Sequence, residues 1–261
     1  MSFLVAPPMF SNRGTSLINT LKNLGLTTNL RVCLDAGDVN SYDGSSQTWK
    51  DLSGGGYDFY RGSGSGSDSA DPTFNGTAGK LSSGEYFSYD GGDYFTLAQS
   101  NPAWVNDLHK DNAVFTILSW EKAGFSLGDI GADGAGIALG LDASLHIDLD
   151  VFTTTTTVLS VASSVVANPA SAWAFSGISF TESAGTVLFA SNGSYETKSG
   201  QTYSSPATDS AGYPLQIGAQ GNGLNPAAAG RGLAAMAIWS SALSQAQIGQ
   251  IFQATRVKFG V

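Results

Sequence analysis

Cysteine is almost absent: Cys33 is the one cysteine in 261 residues, so no intrachain disulfide can staple the fold. It lies in the apolar run Val32-Cys33-Leu34 and reads as a small buried hydrophobe rather than a reactive thiol. Basic residues are scarce. Lysine and arginine total 12 against 21 aspartates and glutamates, for a net charge of -9. A nucleic-acid binder needs a basic stripe to displace counterions, and the scattered cations here supply none. An anionic membrane surface is disfavoured for the same reason. The two histidines, His109 and His146, are far apart, and no Gly-x-Ser-x-Gly turn occurs. This leaves little basis for zinc or for a serine hydrolase triad. No run approaches the roughly 18 apolar residues of a membrane span. The opening MSFLVAPPMFSNRG has neither the basic start nor the apolar stretch of a signal peptide. A protein made in the cytoplasm is expected.

What the chain has is apolar residues and turn-formers: 42% hydrophobic, 33 glycines, and only 13% charged, about half the usual share. From residue 30 onward, short strand-like runs alternate with turn signals, without the strand–helix alternation of a parallel sheet. AVFTILSWEK reads as a central strand, and EYFSYDGGDYFTL as a hairpin turning at Gly91-Gly92. Residues 62–71, GSGSGSDSAD, form a flexible loop, and residues 103–109 a single helical turn.

The first 29 residues differ. After Pro7-Pro8 comes TSLINTLKNLG, in which Thr15 or Ser16 can cap a short helix whose face is Leu17, Ile18, Leu21 and Leu24. This arm either packs on its own domain or docks on a neighbouring subunit. At the other end, Leu243, Ile248, Ile251 and Phe252 make the face of a closing helix. The expected fold is all-β: a two-sheet antiparallel jelly-roll sandwich over residues 30–261, an N-terminal arm with a short helix over 1–29, and a short C-terminal helix.

Three stretches resemble the laminin-G-like branch of the concanavalin A-like lectin/glucanase superfamily. The first is Leu34-Asp35-Ala36 followed by Trp49-Lys50-Asp51-Leu52-Ser53-Gly54. The second is the Trp173 strand leading to a strand that ends at Asn192-Gly193. The third is LQIGAQ, then the strand ending in Trp239 and the Leu243-Ser244-x-x-Gln247-Ile248 helix start. On this resemblance Trp173 and Trp239 would fill the space between two sheets. The family holds lectins, enzymes and structural modules, so it implies a fold rather than an activity.

Relatives in that superfamily often hold a structural calcium. Asp35, Asp38 and Asp51, with Asp43 nearby, are the expected ligands, and Asp129 with Asp133 forms a second acidic loop cluster. The alternative is that these carboxylates cap backbone amides in Gly-rich turns. A sugar site would use aromatic platforms, for which Tyr57, Tyr60, Trp104 and Tyr213 are available near loops. His146, Asp148 and Asp150 alternate onto one strand face, but a glycosidase's second glutamate is missing, so a solvated face is expected there.

The leading expectation is a non-enzymatic structural protein of a phage virion, a capsid decoration or tail-associated subunit. Its arm would contact other virion proteins in a multi-copy or homo-oligomeric assembly. The alternatives are a carbohydrate-binding module for host-surface glycan and, less favoured, a glycoside hydrolase. The two Asn-Gly-Thr/Ser sequons, at Asn75 and Asn192, are expected to stay unmodified.

Overall fold

The computed structural model describes residues 14–123, 127–128, 135–142, 144–153, 156–166, 172–205 and 210–261. In chain order the elements are α1 (Leu17–Asn23), β1 (Leu30–Asp35), β2 (Thr48–Trp49), β3 (Phe59–Arg61), β4 (Thr73–Asn75), β5 (Tyr86–Ser88), β6 (Phe95–Leu97) and α2 (Ala103–Asn106). There follow β7 (Val114–Lys122), β8 (Leu127–Gly128), β9 (Gly136–Leu141), β10 (His146–Phe152), β11 (Thr157–Val166), β12 (Trp173–Thr181) and β13 (Thr186–Ser191). The chain closes with β14 (Ser194–Ser199), β15 (Gln216–Ile217), β16 (Gly232–Trp239) and α3 (Gln245–Phe259).

The strands build two 8-stranded sheets, one in the order β14-β13-β12-β7-β16-β5-β4 with β1 also on β16, the other β11-β10-β9-β8-β15-β6-β3-β2. Every described pairing is antiparallel. This is the expected sandwich, with β7 central in the first sheet.

The predicted hairpin at Gly91-Gly92 does not form. β5 pairs with β4 and β16 in the first sheet, whereas β6 pairs with β3 and β15 in the second. The turn is a corner between sheets, closed by the Asp93 carboxylate accepting the Asp90 N–H at 2.8 Å. Phe87 and Phe95 therefore meet across the sandwich, edge to face at 4.9 Å, instead of along a ladder.

Two cores explain the burial patterns. Trp49, Phe59, Phe87, Phe115, Ile137, Leu149, Ile178 and Ile238 belong to the core between the sheets. A second core lies on the outer face of the first sheet, where α1 and α3 cover Leu118, Trp120, Phe175, Ala237 and Trp239. The central strands of the first sheet are thus buried on both faces, and β16 (GLAAMAIW) is apolar throughout because neither of its faces meets water. A bulge between Leu233 and Ala235 lets it serve both cores. Trp239 fills the helix-side core, with its indole donating to the Leu26 carbonyl at 2.8 Å. Trp173 packs against that same core, half-buried. Neither tryptophan fills the space between the sheets, where Trp49 sits instead.

Leu17, Ile18 and Leu21 of α1 are buried in this second core, so the arm's helix packs on its own chain. Its N-cap Ser16 makes no side-chain capping bond. The Asp35 carboxylate at the end of β1 caps the helix instead. One oxygen accepts the Leu17 N–H at 2.8 Å, and the other accepts the Gly37 N–H and the Lys258 ammonium of α3, each at 3.0 Å. The helix α3 carries a complete capping box between Ser244 and Gln247. At the open side, edge strands β11 and β14 are tied across the sheets. Ser164 donates to Glu196 through its N–H and its hydroxyl, and Lys198 donates to the Ala162 carbonyl.

Because Asp35 and Lys258 are both nearly fully buried, removing one leaves the other charge without a partner. Lys258→Met is expected to cost about 3 kcal/mol in urea unfolding. The exposed control Lys80→Ala is expected to stay within about 0.5 kcal/mol of the parent.

A candidate glycan groove on the open sheet face

Among the described residues, β10 of the second sheet presents one face outward. The strand β10, HIDLDVF, alternates half-buried and buried along its length. Ile147, Leu149 and Val151 point into the main core, which turns His146, Asp148 and Asp150 outward. The neighbours in register are small: Asp148 lies between Gly140 of β9 and Ala162 of β11, and Asp150 between Ala138 and Ser160. Two carboxylates thus rise from a floor of glycine, alanine and serine.

The rim opposite is the segment that leads into β16. Gln220, Asn225, Pro226, Ala228 and Arg231 join Ala138–Leu141, Asp148 and Asp150 around a groove of about 350 Å³. Backbone bonds between Gln220 and Leu224 in both directions hold this rim, together with the Gly223 N–H donating to Gln216 at 2.8 Å. Asn222 and Asn225 adopt positive φ angles of 63° and 47°, which asparagine tolerates in tight turns. The Asn225 amide donates to the Gln220 side-chain oxygen at 2.7 Å.

Among the described residues, the Asp148, Asp150 and Arg231 side chains make no hydrogen bond or ion pair within the chain. Burial, then the charges of Asp150 and Asp142, push the Asp148 carboxyl up to about 6. His146 is not available in the same way, because its Nδ1 lies 3.0 Å from Asp142 Oδ2.

The carboxylates expected to bind calcium have other roles. Asp35 caps α1 and pairs with Lys258. Asp38 accepts the N–H and side-chain amide of Asn40 at 2.9 and 3.0 Å. Asp51 accepts the Cys33, Ser53 and Tyr57 N–H groups and the Ser53 hydroxyl. Asp43 accepts from Ser45 and Ser46. Asp38 and Asp43 make these bonds through one carboxylate oxygen each. Among the described residues no group of three or more histidine, cysteine, aspartate or glutamate side chains is arranged to hold a metal. Asp129 and Asp133 lie outside the described residues. Cys33 is buried, and its thiol is held well above its ordinary range by burial and then by Asp35, Asp51 and Asp38.

Of the four expected sugar platforms, Tyr57 and Trp104 do meet, edge to face at 5.4 Å, but as core. Trp104 is only 6% exposed, so its ring face is not open to a ligand. It borders a separate groove of about 450 Å³ with Arg31, Asp107, Lys110 and Asp111, where opposite charges balance. Tyr60 is on the second sheet, five strands from β10 and so about 24 Å from the carboxylates. Half-buried Tyr213 offers its carbonyl to Asn101 at 2.7 Å. Sequence reasoning placed Asp148 and Asp150 on an outward face but missed Gln220, Asn225 and Arg231. The alternating HIDLDVF pattern flanked by Gly- and Ala-rich strands was the available signal.

No protein-family model and no curated protein sequence matches the chain. Solved structures do match it. The binding domain of botulinum neurotoxin DC, in complex with SialylT, superposes with a TM-score of 0.59 at 12% identity over 88% of this chain and 52% of that one. The botulinum neurotoxin type G receptor-binding domain gives 0.54 at 13% identity over 86% and 51%. The binding domain of Paraclostridial mosquitocidal protein 1 gives 0.55 at 13% over 87% and 52%. The likeness is one of fold. The chain spans about half the length of these proteins, each of which is named as a binding domain.

A carboxyl whose pKa is raised on folding stabilises the fold most below its unfolded pKa, and that stability is lost as pH rises through the folded value. For Asp148 the window runs from about 4 to about 6. Asp148→Asn should therefore be more stable than the parent at pH 7 by up to about 1 kcal/mol, after allowance for solvent screening. The difference should vanish at pH 4 in paired thermal unfolding experiments.

Proposed function

We propose that this chain is a non-enzymatic binding module that holds a glycan in the groove over β9 and β10. The observation that carries this reading is that Asp148, Asp150 and Arg231 line one groove with their hydrogen-bonding capacity unused. Ionised carboxylates accept paired hydrogen bonds from neighbouring hydroxyls of a sugar ring, while a guanidinium and the Asn225 and Gln220 amides donate to ring and hydroxyl oxygens. The groove is polar and shallow, which suits a hydroxyl-rich ligand better than an apolar one. The fold shared with receptor-binding domains is consistent with a recognition role. A glycoside hydrolase is the lesser alternative, since the groove has no glutamate partner at glycosidase spacing.

The setting we propose for the module is a phage particle, as a capsid decoration or tail-associated subunit present in many copies. This second reading rests on the apolar N-terminal arm rather than on the groove. Leu17, Ile18 and Leu21 are already buried in their own chain, which confines the proposed docking role to residues 1–13. Deleting residues 1–13 should leave the unfolding midpoint nearly unchanged and abolish incorporation into particles. Normal incorporation of the deletion variant would remove this reading.

For the groove, a glycan array should give hits that Asp150→Ala and Arg231→Ala each weaken at least about 10-fold, the loss of one charge-assisted hydrogen bond. No glycan should be cleaved on prolonged incubation. Binding unaffected by either substitution would contradict the assignment.

A further inference from the structure

Glu121 is fully buried in β7, the central strand of the doubly covered sheet. It shares the strand face of Phe115, Ile117 and Ser119 and so points between the sheets. No hydrogen bond of good geometry reaches either carboxyl oxygen, although the Ser176 hydroxyl lies close enough to favour the ionised form; the Tyr89 phenol is likewise buried without a partner. Such an acid in the interior of a sandwich is costly unless it stays neutral or finds a counter-charge.

The counter-charge available is Arg231. Glu121 is in register with Leu233 of β16, and Arg231 lies two residues before Leu233, on the rim of the groove. Ala174 of β12 and Leu233 of β16 are in register with Glu121, and the Ser176 hydroxyl and the Tyr89 phenol from the segment after β5 lie close enough to interact with its charge. Of all these, Tyr89 and Arg231 are the titratable or charged ones. Tyr89 is itself held protonated by burial, and then by the charges of Asp93 and Glu121.

We propose that Glu121 is a positioning residue for the groove: protonated, it leaves the Arg231 guanidinium free for ligand, and ionised, it draws that guanidinium back toward the sandwich interior. The groove cation is thereby made dependent on a proton held inside the fold. This inference rests on the glycan-groove reading for its consequence, though not for its mechanism. Burial pushes the Glu121 carboxyl up to about 8, with the Ser176 hydroxyl and then the Arg231 charge opposing that rise. The exchange therefore falls at mildly alkaline pH, where the groove would lose its donor.

The test uses the whole chain and no ligand. Glutamate labelled at the side-chain carboxyl carbon should show one resonance titrating near pH 8, and Glu121→Gln should remove it. Arg231→Met should move that midpoint upward by about half a unit or more, because the charge that favours ionised Glu121 is gone. Arg231→Lys should restore most of the original value. The Arg231 Nε–H resonance should shift through the same pH range in the parent and stay fixed in Glu121→Gln. A Glu121 midpoint unmoved by Arg231→Met, or an Arg231 resonance indifferent to Glu121→Gln, would overturn the coupling. Coupling observed on a protein that binds no arrayed glycan would instead sink the glycan reading and leave the Glu121–Arg231 link standing.

Discussion

The Asp35 carboxylate joins three parts of the molecule. It closes the N-terminus of α1, holds the turn after β1 through Gly37, and pairs with Lys258 near the end of α3. Through that junction both helices are anchored over the outer face of the first sheet. Once that face is covered, the central strands of the sheet present no surface to a ligand. Its partner sheet keeps one dry face and one wet face, and any recognition by a sheet surface has to use the wet one. The placement of the groove over β9 and β10 thus follows from an ion pair and a helix cap on the far side of the sandwich.

The positions of the acidic residues separate into three kinds. Asp35, Asp38, Asp43 and Asp51 lie in turns whose amides they satisfy, as expected of short acidic side chains in Gly- and Ser-rich loops. Asp148 and Asp150 lie mid-strand, where the backbone amides are already paired in the ladder. A carboxylate in that position has no local donor to take, so it faces outward with its lone pairs open. Glu121 is the third case, mid-strand but facing inward, where protonation is the alternative to a partner.

The fold was legible in the sequence where one pattern determined one outcome. AVFTILSWEK could only be a central strand, and Ser244-x-x-Gln247 before an apolar face marked the closing helix. The sheet to which each strand belongs was not legible. The Asp90-Gly91-Gly92-Asp93 turn has hairpin chemistry, but Phe87 and Phe95 gain more by meeting across the core. Trp173 and Trp239 were large and apolar, which fixed their burial without fixing which core would take them. At the site, alternation exposed Asp148 and Asp150. The residues opposite them, Gln220, Asn225 and Arg231, come from a loop with no periodicity about 80 residues later in the chain. Only the packed structure brings them to the same groove. Trp104 shows the same limit: it sits next to a loop in sequence but inside the core in space.

The central claim is that the open face of the second sheet is the recognition surface. The most direct measurement is amide chemical-shift mapping of the labelled chain during titration with a mixture of free hexoses and disaccharides. The account predicts saturable shifts confined to residues 138–141, 148–150 and 220–231. Saturable shifts centred on Trp104, Arg31 and Lys110, with none along β9 and β10, would contradict it.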